Sequence, residues 1–159
     1  MISPGLPLSR ALVAPINRLA GGLRKAGGQV IWINHANVAT ASGSDWSGFF
    51  DRFVAADVRQ RTIESLAPGR EGQQVWAGLD VHAQDLHIIK NRYSALIPGS
   101  SSLERVLRSL GLETVLIAGT KTNVCCESTA GPVPRLRPHR GDVRGNQGGR
   151  AHDFGNGFG

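Results

Sequence analysis

Residues 114–130 read TVLIAGTKTNVCCESTA: an apolar run, a polar turn and two adjacent cysteines. The run TVLIAG (114–119) has the apolar, β-branched composition of a buried strand. A chain that enters a helix near Asn123 or Val124 would place Cys125 at the helix N-terminus. The backbone N–H groups there favour a thiolate over a thiol and can also stabilise an oxyanion. The stretch therefore predicts a strand and a turn that lead to a reactive cysteine.

Two more apolar runs upstream predict strands. QVIWIN (29–34) places His35 at the carboxyl end of one strand, and LHIIK (86–90) places Lys90 at the end of the other. Between them, a loop and an irregular helical turn carry four aromatic residues: Trp46, Phe49, Phe50 and Phe53. Aromatic residues in such a segment more often form part of the core or a dimer contact than a cage around a substrate.

Three helices are predicted around these strands. Apolar residues at helical spacing mark the first, between Pro15 and Gly27-Gly28, and the sequence from Val58 to Leu66 marks a weaker second. Ser101 and Glu104 form a capping box at the start of the third, which Gly111 ends. Helices that alternate with apolar strands are typical of an α/β fold with a mostly parallel sheet. In such a sheet, reactive groups gather at the carboxyl ends of the strands.

Length and composition favour one soluble domain. The chain has 159 residues, 40% of them apolar, and contains no apolar run long enough for a membrane span. The amino-terminal residues lack the pattern of a secretory signal. We therefore predict a cytoplasmic protein with reduced thiols, since adjacent cysteines rarely form a disulfide.

The basic charge lies partly in a biased tail. The net charge is +6, and residues 131–159 contain five Arg, two Asp, eight Gly and three Pro. This segment has no apolar periodicity and predicts disorder. A nucleic-acid-binding role through the tail is an alternative, but the tail has no repeated motif, and its two aromatics, Phe154 and Phe158, lie apart from most of its arginines.

Three motifs resemble those of the isochorismatase-like cysteine hydrolases. They are K-x-R-Y-S-A from Lys90 to Ala95, G-T-K-T-N-V-C from Gly119 to Cys125, and E-S-T-A from Glu127 to Ala130. The resemblance covers about residues 5–130. It implies a Rossmann-like three-layer α/β sandwich and hydrolysis of an amide or related C–N bond through a thioester-type intermediate.

The resemblance also assigns roles to individual residues. Cys125 matches the nucleophile and Lys90 matches the lysine that supports the thiolate and the oxyanion. Thr120 and Lys121 would lie around the oxyanion, joined by a non-proline cis peptide. Cys126 would pack inward as a small apolar residue. The residues expected to line the pocket are His35, Trp46, Phe49 and Tyr93.

Two departures from the family pattern lead to a hypothesis of truncation. The family's catalytic aspartate ends a first strand that precedes a P-G loop, whereas this sequence begins at about that loop (Ser3-Pro4-Gly5). Neither Asp45 nor Asp51 matches it, and Pro132 and Pro134 should end the last helix near Ala130. We interpret residues 1–130 as a partial hydrolase domain, and residues 131–159 as a tail that could come from a shifted reading frame. A catalytically inactive family member is the alternative.

The expected ligands are few. His35, His82 and His87 lack the carboxylate-and-histidine spacing of a nicotinamidase metal site, so we predict no metal and no cofactor. The expected partner is a small-molecule substrate, with neither membrane nor nucleic acid, and family members are commonly homo-oligomers. No residue identifies the substrate.

Overall fold

The computed structural model describes residues 10–41, 43–112, 114–120, 122–131 and 152–153. The chain divides into two compact units, Met1–Arg92 and Tyr93–Gly159.

Helix α1 (Val13–Lys25) opens the described part of the first unit. Its end is a left-handed turn at Gly27, with φ +78°. The N–H of Gly28 donates to the carbonyl of Leu23 at 2.9 Å, and a Cβ on Gly28 would lie 2.3 Å from Leu23 Cδ1. The left-handed conformation favours glycine at Gly27, and a side chain on Gly28 would require Leu23 to shift. The predicted helix end is confirmed.

Strands β1 (Ile31–His35) and β4 (Leu86–Lys90) form a parallel pair. The register runs from Ile31 opposite Leu86 to His35 opposite Lys90. Both strands lie where the apolar runs predicted them, and their parallel pairing agrees with the predicted α/β class.

The crossover between these strands contains short elements. They are β2 (Ala39–Thr40), β3 (Gly43–Ser44), α2 (Ser47–Phe53), α3 (Ala56–Ser65) and a 3-10 turn (Glu71–Gln73). Strands β2 and β3 pair in antiparallel fashion. The two helices confirm the irregular helical turn and the weak helix predicted from the sequence.

The predicted aromatic segment forms a small core in this unit. Phe50, Ile63 and Leu66 are buried together, and Trp46 and Phe49 pack against them. The rings of Trp46 and Phe49 are stacked, with centroids 4.5 Å apart. Burial of these side chains removes apolar surface from water, which fixes α2 and α3 against each other.

A buried carboxylate closes the amino end of the β1–β4 pair. Asp85 accepts two hydrogen bonds from the Arg24 guanidinium, at 2.6 and 3.0 Å, and one from the Trp32 indole at 2.8 Å. The backbone N–H of His82 donates to the same carboxylate at 2.9 Å. The Arg24 hydrogen bonds, followed by those of His82 and Trp32, hold the pKa of Asp85 well below its usual range. This network ties α1 to the sheet.

In the second unit, helix α4 (Leu103–Ser109) begins differently from the prediction. The capping box was wrong: the residue before the helix is Ser102, and it makes no side-chain cap hydrogen bond. Ser101 Oγ accepts the N–H of Leu103 at 3.0 Å, while Glu104 pairs with Arg108 at 2.8 Å. The i,i+4 ion pair therefore takes the carboxylate that a capping box would have used. Gly111, at φ +62°, ends the helix as predicted.

Strand β5 (Leu116–Ile117) is shorter than the predicted 114–119. It pairs in parallel with β6 (His152–Asp153). After β5 the chain forms one π-helical turn, Thr122–Cys126, which continues as α5 (Glu127–Ala130). Helix α5 ends at the predicted residue.

The remaining expectations about organisation stay predictions. Apart from Gly131 and His152–Asp153, the tail at 131–159 lies outside the described residues. The division of the chain into a hydrolase domain and a disordered tail is not tested. Within the described ranges, no helix combines the length and the apolar character that crossing a membrane requires.

Candidate functional site

His35 and Lys90 end the two parallel strands side by side, since they are register partners. Lys90 is only 6% exposed, and its ammonium donates to the carbonyl of Arg92 at 2.7 Å. A buried ammonium is costly unless it is hydrogen-bonded. The chain turn after β4 therefore positions the charge of Lys90 at the carboxyl edge of the sheet.

Asp45 organises this edge, although sequence reasoning did not select it. Its Oδ1 accepts the backbone N–H of Val38 at 3.1 Å, and its Oδ2 accepts the amide of Asn91 at 3.0 Å. Its backbone carbonyl accepts the Arg92 guanidinium at 2.9 Å. Asp45 therefore connects the loop after β1 to the turn that follows Lys90.

Asn37 joins Asp45 to His35. The side chain of Asn37 is fully buried and donates to Asp45 Oδ1 at 3.1 Å and to the carbonyl of Asn91 at 3.4 Å. Its Oδ1 lies 2.7 Å from His35 Nε2. Burial is the main cause that lowers the pKa of His35, which the Asn37 hydrogen bond partly opposes and the charge of Lys90 supports. His35 is consequently held in its neutral form.

Aromatic rings border the same edge. The Trp46 ring centroid lies 6.0 Å from that of His35, and the Arg92 guanidinium lies 5.3 Å from the Trp46 ring. A cation over an indole face is an attractive arrangement. Trp46 is therefore close to His35, and Phe49 stacks on Trp46. That these residues line a pocket stays a prediction.

The second unit carries the two cysteines. Cys125 is partly exposed and Cys126 is buried, and neither forms a disulfide. The Cys126 Sγ lies 3.9 Å from the carbonyl oxygen of Thr120, a weak contact at most. The expectation that Cys126 packs inward is confirmed, and Cys125 lies in the first helical turn after β5.

Thr129 joins two of the sequence motifs. Its hydroxyl donates to the carbonyl of Cys125 at 2.7 Å and accepts the N–H of Ala95 at 3.1 Å. Thr129 is 6% exposed, so both hydrogen bonds are shielded from water. The Y-S-A segment is therefore fixed to the turn that carries Cys125.

The pKa of Tyr93 depends in part on Cys125. Partial burial and, second, the charge of a Cys125 thiolate raise the pKa of the Tyr93 phenol. Tyr93 remains 39% exposed. A neutral phenol near Cys125 offers a hydrogen-bond donor and acceptor to a bound molecule.

The predicted site residues fall in both units. The first holds four of them (His35, Trp46, Phe49 and Lys90), and the second holds three (Tyr93, Thr120 and Cys125). Lys121, and with it the predicted cis peptide, lies outside the described residues. Sequence reasoning missed four polar residues that hold the others in place: Asn37, Asp45, Asn91 and Thr129. Of these four, only Thr129 could have been selected from the sequence, because it belongs to the E-S-T-A motif.

Among the residues that the structure describes, no three His, Cys, Asp or Glu side chains form a group able to hold a metal ion. The prediction of a metal-free site remains a prediction.

The family model of the isochorismatase domain matches residues 3–131. Curated relatives include the ureidoacrylate amidohydrolase RutB of Klebsiella pneumoniae strain 342, 28% identical over 127 residues (76% of this chain and 53% of the relative). The RutB of Pseudomonas syringae pv. syringae is 30% identical over 124 residues (74% and 50%). The chain thus spans about half the length of these curated relatives.

Solved structures show the same fold. A cysteine hydrolase from Pseudomonas syringae pv. phaseolicola 1448A aligns with a TM-score of 0.66 at 23% identity, covering 84% of this chain and 61% of that one. The N-carbamoylsarcosine amidase of Thermoplasma acidophilum aligns with a TM-score of 0.63 at 21% identity, covering 84% and 68%. The fold of these structures is the Rossmann-like α/β fold predicted from the sequence.

Proposed function

The chain belongs to the isochorismatase family of hydrolases, and we propose that it cleaves an amide or related C–N bond of a small molecule with Cys125 as nucleophile. The observation that carries the proposal is the contrast between the two adjacent cysteines. Cys125 is accessible in the first helical turn after β5, whereas Cys126 is buried. Only an accessible thiolate can attack a substrate.

The proposed reaction has two stages. The Cys125 thiolate attacks the carbonyl carbon, and the resulting tetrahedral oxyanion collapses with cleavage of the C–N bond. The proton that the Cys125 thiol lost on ionisation passes to the leaving amine, and a thioester on Cys125 remains. Water then attacks the thioester, which releases the acid and restores the thiol.

Lys90 has the electrostatic role in this proposal. Its ammonium is buried and held by the Arg92 carbonyl, and a fixed charge in such surroundings stabilises developing negative charge more than a solvated one does. The assignment of Lys90 to the thiolate and the oxyanion comes from its match to the family lysine. Thr120 and Lys121 are proposed oxyanion neighbours on the same basis.

The substrate, the cellular location, the oligomeric state and the lack of a cofactor are also proposals. The names of the relatives, ureidoacrylate amidohydrolase and N-carbamoylsarcosine amidase, suggest carbamoyl compounds as the first substrates to test. We further propose a cytoplasmic homo-oligomer that uses no cofactor. A family member that binds such compounds without turnover is the competing hypothesis.

The test uses the full chain with ureidoacrylate and, separately, N-carbamoylsarcosine. Mass spectrometry follows the cleaved product and the mass of a trapped Cys125 adduct. We expect turnover or an adduct with the wild type and with Cys126→Ala, and neither with Cys125→Ala. Turnover by Cys125→Ala at the wild-type rate would exclude the proposed nucleophile. Binding without product in the wild type would instead support the inactive family member.

A further inference from the structure

The hydrogen bonds among Asp45, Asn37 and His35 determine which ring nitrogen of His35 carries the proton. We propose that Asp45 and Asn37 are positioning residues that lock His35 as its Nε2–H tautomer, and that Nδ1 then accepts a hydrogen bond from an N–H group of the substrate. The second part rests on the proposed function, because it concerns a substrate of the amide or carbamoyl class.

The orientation of the Asn37 amide follows from its neighbours. One terminal atom of Asn37 lies 3.4 Å from the backbone carbonyl of Asn91 and 3.1 Å from Asp45 Oδ1. A backbone carbonyl can only accept, and Asp45 Oδ1 already accepts the N–H of Val38 at 3.1 Å. The Asn37 atom that faces both oxygens is therefore the NH₂ group.

The tautomer of His35 follows from this orientation. With its NH₂ group directed to Asp45, Asn37 presents its Oδ1 to His35 Nε2 at 2.7 Å. An amide oxygen only accepts, so His35 Nε2 must donate. A neutral imidazole that carries its proton on Nε2 has a lone pair on Nδ1.

The surroundings of His35 maintain the neutral form. Burial of the ring and the positive charge of Lys90 both lower the pKa of His35, whereas the charge of Asp45 and the Asn37 hydrogen bond raise it. The Trp46 ring centroid lies 6.0 Å from that of the imidazole. A neutral His35 keeps Nδ1 as an acceptor at neutral pH.

Acceptors without a partner are few among the described residues of this edge: Asn91 Oδ1 is buried and makes no hydrogen bond, and His35 Nδ1 is a second one. The ammonium of Lys90 and the guanidinium of Arg92 can only donate, and both carboxylate oxygens of Asp45 already accept hydrogen bonds. His35 Nδ1 makes no hydrogen bond to a described residue. A substrate that presents N–H groups as well as a carbonyl would match this combination of donors and an acceptor.

The first experiment determines the tautomer without any assay of activity. Long-range ¹H–¹⁵N NMR correlations distinguish an Nε2–H from an Nδ1–H imidazole, and the signals of His35 are assigned with His35→Gln. We expect the Nε2–H form in the wild type and a mixture of tautomers in Asn37→Leu. An Nδ1–H form in the wild type overturns the proposal, whether or not Asn37→Leu folds.

The second experiment examines the acceptor role in a Cys125→Ala background, in which no turnover is expected. Addition of ureidoacrylate should shift the Nδ1 resonance of His35, and His35→Phe should weaken binding about tenfold, the effect of one lost hydrogen bond. The control is His87→Phe, an exposed position on β4. Binding that leaves Nδ1 unshifted overturns the acceptor role. A chain that binds no ureidoacrylate counts against the proposed function, while the tautomer still decides the positioning role.

Discussion

The hydroxyl of Thr129 donates to the backbone carbonyl of Cys125 at 2.7 Å. The same oxygen accepts the N–H of Ala95 at 3.1 Å. One buried hydroxyl therefore connects two segments that are 34 residues apart in sequence. Thr129 thus ties the helical turn that carries the candidate nucleophile to the segment around Ala95.

Replacement of Thr129 by valine should destabilise this turn. Valine has nearly the same shape but no hydroxyl, so the N–H of Ala95 is left without its acceptor in a buried place. We expect the free energy of unfolding to fall by about 1–3 kcal/mol, measured by urea denaturation. Thr129→Ser keeps the hydroxyl and is the matched control. Equal stability of the two variants would show that the hydrogen bonds contribute nothing.

The two cysteines should differ in reactivity. Cys125 is partly exposed and Cys126 is buried, so iodoacetamide should alkylate Cys125 first. Peptide mass spectrometry at short reaction times, with urea-unfolded protein as the reference for equal access, measures the two rates. Equal or reversed rates in the folded protein would contradict the assignment of the nucleophile.

Asp85 should make the fold sensitive to acid. Because the folded state lowers the pKa of Asp85 from its ordinary 3.8, its stabilising contribution is complete above that pH. It is lost as the pH falls below 3.8 toward the folded pKa, since the unfolded state then binds the proton first. Asp85→Asn should lower Tm by several degrees at neutral pH. The further decrease in Tm below pH 3.8 should be smaller in this variant than in the wild type.

The control for Asp85 is Glu71→Gln, which changes an exposed carboxylate on the 3-10 turn. Thermal unfolding followed by circular dichroism across the acid range gives the comparison. If Asp85→Asn and the wild type lose stability in parallel below pH 3.8, the Arg24–Asp85 network is not the origin of the acid sensitivity.

Sequence reasoning located the two paired strands and the residues at their ends for a physical reason. Apolar runs such as LHIIK show their burial directly in composition, and Lys90 and His35 follow them at fixed positions. The polar residues that orient them were missed because their partners are distant in sequence: Asn91 reaches Asp45 across 46 residues. The hydrogen bonds of such residues depend on the tertiary fold, and no local pattern distinguishes them from solvated loop residues.

The capping box at Ser101 failed for a related reason. The motif was present, but Glu104 had a second partner one helical turn later, Arg108, at 2.8 Å. Ser101 Oγ meanwhile donates to the carbonyl of Ala95 at 2.7 Å, which a local motif does not include. A prediction from spacing alone cannot choose between two partners of similar strength.

Removal of the charge of Lys90 should reduce catalysis more than folding. Lys90→Met keeps the length of the side chain but removes the ammonium, and the loss of one fixed charge at an oxyanion typically lowers kcat about 10²–10³-fold. Hydrolysis of ureidoacrylate gives the rates, and thermal unfolding confirms that the variant is folded. Lys25→Met, an exposed lysine at the end of α1, is the control. An unchanged kcat in folded Lys90→Met would remove Lys90 from the proposed mechanism.

His35 should add a second pH dependence to the stability of the fold, in the range below pH 6.5. Its folded pKa is lowered from the ordinary 6.5, chiefly by burial, so the unfolded state binds a proton more readily. The stability that the neutral ring provides is complete above pH 6.5 and is lost as the pH falls below this value toward the folded pKa. Urea denaturation at a series of pH values should show this decrease in the wild type and in His87→Gln, the exposed control. His35→Gln cannot take up the proton and should lack the decrease, whereas an identical pH profile in His35→Gln would contradict the assigned state of His35.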